Sequence, residues 1–326
     1  MLAPRRHARH ALVAVPLALA LLAGGCGDDG STSTVSAAPS AEQFPAADGK
    51  TLEELSSGTS TSDLVVAPSE QVFNPGEDRY GFGVFTVKHE NVPDAQVAIY
   101  ASRPNGKALG PFPASVAPLA TKPAFQSQTT VSDPDAAAYV YTSSVKLPGD
   151  GEWRIMAMFR DDDGDYTVAS APSAVVGDPR FKDIPNVGEK APIIHTPTAD
   201  DVGGDLSKID TRQPPDTMHD VDFADVVGKE PVVLLFATPA LCQSRVCGPV
   251  ADIAEEVKNE RPDDAAYIHM EVYKNNTPPK INDQLTAYGL MTEPWLFVIG
   301  SDGRVSTRIE GAFSAAELNA ALDNVS

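Results

Sequence analysis

The chain has 326 residues, with 25 Lys and Arg against 45 Asp and Glu and a formal net charge of −20. So acidic a balance makes nucleic acid and anionic membrane surfaces poor partners. No long run of one sign suggests a dedicated cation-binding tail, so the acidity reads as a solubility device.

Arg5, Arg6 and Arg9 precede an uncharged run from Ala11 to Gly25 that is too short and too alanine-rich to span a membrane, which reads as a secretory signal over residues 1–25. The segment Leu22-Ala-Gly-Gly-Cys26, followed by Gly-Asp-Asp, resembles a bacterial lipobox, with Ala23 where that motif prefers a larger aliphatic residue. The resemblance implies a diacylated Cys26 as the first mature residue, anchored at the extracytoplasmic face of the cell membrane. Cleavage by an ordinary signal peptidase is the alternative. Loss of the three leader arginines leaves 22 basic and 45 acidic residues, a net −23. With Cys26 on lipid, the three cysteines resolve into one anchor and one pair, placed outside the cytosol where disulfides persist. Residues 26–60, rich in Ser, Thr, Ala, Gly and Asp, are expected to be a disordered tether reaching roughly 30 Å, with no more than one helical turn at Thr51-Leu-Glu-Glu-Leu.

From 61 to 178 short apolar alternations are bounded by Pro, Gly, Asn and Asp, the pattern of an all-β sandwich. Strands are expected at Leu64 to Ala67, Arg79 to Lys88, Ala95 to Ala101, Ala138 to Leu147, Trp153 to Arg160 and Tyr166 to Ala169. In the fifth of these, Trp153, Ile155, Ala157 and Phe159 would face the core, after a turn at Asp150-Gly151. This pattern looks like an immunoglobulin-like module of bacterial envelope proteins. The cluster Asp161-Asp-Asp-Gly-Asp165 lacks the alternating ligands of a calcium loop and reads as a solvated β-turn. His89, His195, His219 and His269 are scattered singly, so no metal-ligand spacing is present and no metal is expected.

A linker opens the stretch 179–326. Its end, Val187-Gly-Glu-Lys-Ala-Pro192, resembles the entry of thioredoxin-like and peroxiredoxin-like domains, and Asp222-Phe-Ala-Asp-Val-Val-Gly-Lys-Glu-Pro231 leads into an apolar run, Val232-Val-Leu-Leu-Phe236, patterned as a strand buried on both faces. Then come Cys242-Gln-Ser-Arg-Val-Cys247 and, after Pro249, a helix striped by Val250, Ile253, Ala254 and Val257. A strand from Ala266 to Tyr273, a helix from Lys280 to Tyr288, Glu293-Pro294 before the strand ending at Ile299, a strand from Arg304 to Ile309 and a helix capped by Ser314 and Glu317 complete the order. The order resembles a thioredoxin-like fold over about 187–326. It implies an α/β domain after the sandwich, a cis bond at Pro294 beside the sulfurs, and a substrate groove formed by Glu293, Pro294 and Arg245.

The spacing C-x4-C departs from the usual C-x-x-C. On one continuous helix, residues five apart lie roughly 8–9 Å apart, beyond the disulfide limit near 7 Å, so a Cys242–Cys247 bond needs 242–246 to be non-helical. Two alignments compete. Cys242 is the nucleophile and Cys247 its resolving partner, as in the bacterioferritin-comigratory peroxiredoxins, or Cys247-Gly-Pro-Val250 stands where the family has Cys-Gly-Pro-Cys; the strand-to-cysteine distance favours the first. Thr238 and Pro239 are displaced from peroxidase positions, Leu241 replaces the usual tryptophan, and Leu235 replaces a buried acid. Thiol–disulfide exchange on envelope or secreted proteins is the function the resemblance implies, without a cofactor and with any membrane-borne electron donor a separate protein. A structural disulfide in a redox-inert binding module and a thiol peroxidase are the alternatives.

Overall fold

The computed structural model describes residues 34–325, and the leader and Cys26 lie outside them. Strands β1 (Ser60–Thr61), β2 (Leu64–Pro68), β3 (Gly76–Thr86), β4 (Gln96–Ser102), β5 (Ala108–Pro118), β6 (Tyr139–Leu147), β7 (Gly151–Arg160) and β8 (Tyr166–Val176) form one sheet in the order β1-β8-β7-β4-β5-β6-β3-β2. All neighbours are antiparallel except the short β1–β8 pair. The sheet curls until β2 lies against β8, wrapping a core that includes Val66, Phe82, Ile99, Tyr141, Trp153 and Phe159. A single curled sheet therefore replaces the expected pair of stacked immunoglobulin-like sheets.

Strand β5 explains both the curl and its absence from the sequence reading. Its first half pairs with β4, through Ala108 to Pro113, and its second half pairs with β6, through Ala114 to Pro118. Each half has a free edge, so Pro111 and Pro113, which cannot donate to a ladder, are tolerated in a strand central to the order.

Strand β7 presents Trp153, Ile155, Ala157 and Phe159 to the core, as a two-residue period requires, yet Met156 and Met158 on its other face are buried as well. The cover comes from residues expected to be tether. Helix α1 (Leu52–Ser56), capped by Thr51 and Glu54, and the preceding 3-10 turn place Phe44, Ala47, Leu52 and Leu55 against Ala98, Tyr100, Met156 and Met158. The Tyr100 hydroxyl donates to the Pro45 carbonyl at 2.6 Å. Four apolar side chains suffice to order this segment because the outer face of β4 and β7 supplies the rest of the cluster.

Strands β9 (Val232–Ala237), β10 (Ala266–Glu271), β11 (Trp295–Ile299) and β12 (Val305–Glu310) form a second sheet, ordered β10-β9-β11-β12 with β10 parallel to β9 and the other pairs antiparallel. Every residue of β9 is buried. Val233 and Leu235 face helices α4 (Cys247–Glu260) and α6 (Ala315–Asp323), while Leu234 and Phe236 face Phe223, Tyr288 and Phe297. The first of these clusters also takes in Ala117, Leu119 and Val140, so the two sheets share apolar core.

The expected α/β class is corrected by the balance of elements: the described chain is 33% strand and 19% helix. Apart from α4 and α6, the helices have five residues or fewer, including α2 (Gln128–Val131), α3 (Phe223–Val226) and α5 (Asp283–Ala287). The helix expected from Lys280 shrinks because Lys280 and Ile281 pair with Lys274 and Tyr273 instead. The protein is predominantly β.

Polar groups complete the junction between the sheets. Glu310 on β12 accepts the amides of Gln71 and Val72 at 2.7 and 2.9 Å, and Arg79 on β3 binds Glu317 of α6 at 2.7 Å. Gly311 has φ 76° with Ser69 O only 2.0 Å from where a Cβ would stand, so no other residue fits there without moving backbone.

If residues 34–59 belong to the fold, Phe44→Ala removes a core side chain and lowers unfolding free energy by about 3 kcal/mol. Denaturant unfolding of the wild type and variant checks this, and equal stabilities would return the segment to a tether.

Candidate functional site

Strand β9 delivers the chain to Thr238 and Pro239 at its C-terminal end, and α4 begins only at Cys247. Residues 242–246 between them are irregular, and Arg245 has φ 62° in the left-handed region. The two cysteines therefore do not share a helix, which removes the geometric objection to their meeting. Cys242 and Cys247 are free thiols here, and their side chains are hydrogen-bonded to one another.

A segment of the large sheet lies over this loop. Between β5 and β6, residues 119–138 carry α2, whose Thr130 hydroxyl would be 2.8 Å from a Cβ on Gly248 in the first turn of α4, so a larger residue there would push the Thr130 side chain aside. The Ala137 amide donates to the Arg245 carbonyl at 3.0 Å, and Arg245 pairs with Asp133 at 3.1 Å. Underneath, Arg212 and Asp252 of α4 form a buried ion pair at 2.8 Å; Asp252 also accepts from the Ser127 amide, and Arg212 donates to the Phe125 and Pro214 carbonyls.

Accessibility separates the sulfurs. Cys242 keeps 6% of its surface and Cys247 none, so only Cys242 can meet a partner. Cys242 lines a cleft of about 530 Å³ with Asp133, Asp135, Gln213, Pro239 and Arg245. On the other side of the loop, Gln243, Ser244, Met291 and Glu293 line a second cleft of about 470 Å³.

The electrostatics separate them further. Hydrogen bonding from the Cys247 thiol, helped by the Ser244 hydroxyl at 3.1 Å and the amides of Cys247 and Val246, lowers the Cys242 pKa to about 6 against the opposing effect of burial. These amides belong to the start of α4, where N–H groups lack intrahelical partners and a thiolate is favoured. Burial and the neighbouring Cys242 sulfur push Cys247 well above the ordinary thiol range. Glu293 rises to about 7, first through burial and then through the charges of Cys242 and Glu271.

Of the residues expected to form the groove, Glu293 stands beside both sulfurs electrostatically, and the Glu293–Pro294 peptide is cis. Arg245 lines the cleft, but its charge is engaged by Asp133 and it is not among the groups that lower the Cys242 pKa. The Cys242 thiolate is favoured instead by Cys247, then by Ser244 and the helix amides. Ser244 was visible two residues from Cys242, whereas the 119–138 cover was invisible because it comes from the other sheet.

The sequence also missed a cluster behind the site. His219 and His269, read as isolated, have ring centroids 5.4 Å apart, and with Asp210 and Asp216 they place one ligand atom each within 4.8 Å of one another, all buried. The local signal was Asp210, Asp216 and His219 in one short stretch; His269, on β10, joins it because its amide donates to the Met218 carbonyl at 2.9 Å, a contact no sequence interval announces.

No protein-family model matches the chain, and no curated protein does. Among solved structures the chain is similar to one titled "ZirS C-terminal Domain", at 14% identity over 50% of this chain and 93% of that chain, with a TM-score of 0.19. A likeness so low carries no argument about fold or function. Membership of the thioredoxin-like family is corrected with it: no family match supports it, and the helix-poor, β-rich chain does not have the expected α/β composition.

The site makes alkylation of Cys242 pH-dependent. Because its pKa is lowered, the reactive thiolate should be populated as pH rises through about 6, so the iodoacetamide rate should level off near neutrality. Ser244→Ala, lacking one donor to sulfur, should move the midpoint upward. A midpoint at the ordinary thiol value near 8.5 in both proteins would contradict the arrangement.

Proposed function

We propose that the protein performs thiol–disulfide exchange on the cysteines of other proteins at the extracytoplasmic face of the membrane, to which Cys26 would attach it by lipid. One observation carries the reading: two adjacent thiols of opposite character, an accessible Cys242 stabilised as thiolate and a sealed Cys247 held as thiol. Acidic clefts on both sides of the loop leave room for an extended peptide rather than an enclosed small molecule.

Stabilising the thiolate stabilises the reduced pair, which makes the corresponding disulfide an oxidant. The reaction that fits is disulfide donation. A substrate thiolate attacks Cys242 Sγ of the oxidised pair, the Cys242–Cys247 bond breaks, and Cys247 leaves with the electron pair. Glu293, neutral below about pH 7, supplies the proton that Cys247 needs. The substrate's second thiolate then attacks its own sulfur in the mixed disulfide, and Cys242 departs as a thiolate, a good leaving group at its lowered pKa. The substrate loses two electrons and gains a disulfide, the protein gains two thiols, and a separate disulfide donor reoxidises it.

The pair should therefore have a reduction potential above about −270 mV, and Cys242→Ser should abolish oxidation of a reduced peptide. Cys247→Ser, unable to form the internal disulfide, should likewise fail to oxidise the reduced peptide, and should trap a mixed disulfide through Cys242 when offered a disulfide-bonded peptide, whose bond the Cys242 thiolate breaks. A potential below about −300 mV without turnover would leave the pair a structural disulfide, and thiol loss driven by peroxide alone would make it a peroxidase. Anchoring has its own check: radiolabelled palmitate should enter the wild type in a bacterial host and not Cys26→Ser.

A further inference from the structure

The geometry points to a closed binding site for one divalent transition-metal ion of the zinc class, formed by Asp210, Asp216, His219 and His269. The four side chains are 2% exposed or less. Each histidine faces both carboxylates: His219 Nε2 lies 3.3 Å from Asp216 Oδ1 and 3.5 Å from Asp210 Oδ2, while His269 Nδ1 lies 2.8 Å from Asp216 Oδ2 and 3.8 Å from Asp210 Oδ1. Four nitrogen and oxygen ligands about 2.0–2.1 Å from a tetrahedral ion stand about 3.3 Å from one another; here one ligand atom from each residue lies within 4.8 Å of every other, so a modest inward shift of the side chains closes the set on an ion.

Three further observations favour an ion over a network of side chains alone. Neither ring nitrogen of His219 has a hydrogen-bond partner although the residue is buried, and Nε2 is aimed between the carboxylates. His269 Nε2 is 3.2 Å from the Ala237 carbonyl and Nδ1 2.8 Å from Asp216 Oδ2; an ion would displace the Nδ1 proton, and the neutral tautomer that donates from Nε2 to Ala237 then turns its Nδ1 lone pair towards the cluster, the arrangement that orients a metal-bound imidazole. The carboxylates are themselves held in place, Asp210 by the amides of Arg212 and Asp216 and Asp216 by that of Met218.

Charge leads to the same conclusion. Two carboxylates and two neutral imidazoles carry two negative charges, which one divalent ion cancels inside the protein. Without it, an ion pair between His269 and Asp216 leaves Asp210 uncompensated and His219 unbonded. With four protein ligands and no exposed face, the ion would tie the 205–222 connection to β10 and would be structural, without an open position for substrate. Ala237, which orients His269, is one residue before Thr238, so the ion also fixes the end of the strand that delivers Cys242.

The test is metal content of the full chain, purified without a metal-affinity tag and reconstituted with zinc or cobalt alone. About one ion per chain after dialysis is expected, with the strong visible absorption of tetrahedral cobalt. His219→Ala and, as a milder change, Asp210→Asn should reduce retention at least tenfold. Cys242→Ser/Cys247→Ser should retain the ion, which separates this site from thiolate ligation. Chelation of the wild type should lower its melting temperature, an effect that requires no variant to fold. A wild type that takes up no ion and melts unchanged with zinc, or one whose ion is lost with the cysteines and kept in His219→Ala, overturns the site.

Discussion

The buried ion pair between Arg212 and Asp252 is the constraint on which the arrangement of this molecule depends. Asp252 sits in the helix that starts at Cys247, Arg212 in the long connection before β9, and both reach into the 119–138 segment, at Ser127 and Phe125. Charges at 5% and 1% exposure are tolerated only when every donor and acceptor is used, and here the guanidinium spends its groups on a carboxylate and two carbonyls. Three chain segments distant in sequence therefore share one set of bonds. Replacing either charge would leave the other buried without a counter-charge, the costly way to break such a pair.

The sequence was legible where local pattern and burial agree. Val232 to Phe236 read as a doubly buried strand and is one; Trp153 to Phe159 alternates as a half-buried strand should, and Ser314 with Glu317 caps a helix. It was illegible where tertiary contacts override composition. Residues 34–59 look like a tether because their few apolar side chains are spread out, and only the outer face of β4 and β7 makes them a core. Pro111 and Pro113 disguised β5, whose switch of partners midway no periodicity announces. The order of elements after 187 suggested an α/β domain, but proline, glycine and aspartate keep most of its connections as short turns, and the chain as a whole is strand-rich.

For the site, spacing alone said that Cys242 and Cys247 could meet only outside a helix, and the irregular 242–246 segment meets that condition. What spacing could not say is how the two sulfurs differ. That difference comes from the hydrogen bond between the sulfurs, from Ser244 and the orphan amides of a helix start, and from complete burial of Cys247; of these only the Ser244 hydroxyl belongs to a side chain in the interval between the cysteines. Arg245, the cation that composition places closest, is diverted by Asp133 from a segment more than a hundred residues earlier. The histidines were illegible for the same reason: 219 and 269 become neighbours only when the stretch ending at Met218 and His219 bonds to β10, fifty residues further on.

The single bond from the Ala137 amide to the Arg245 carbonyl has a mechanical meaning. The loop between the two cysteines and the chain entering β6 hold one another in place, so the path of 242–246 is set in part by a residue of the larger sheet's own connection. A loop that carries two thiols is thereby fastened to the larger sheet and does not rest on the smaller one alone.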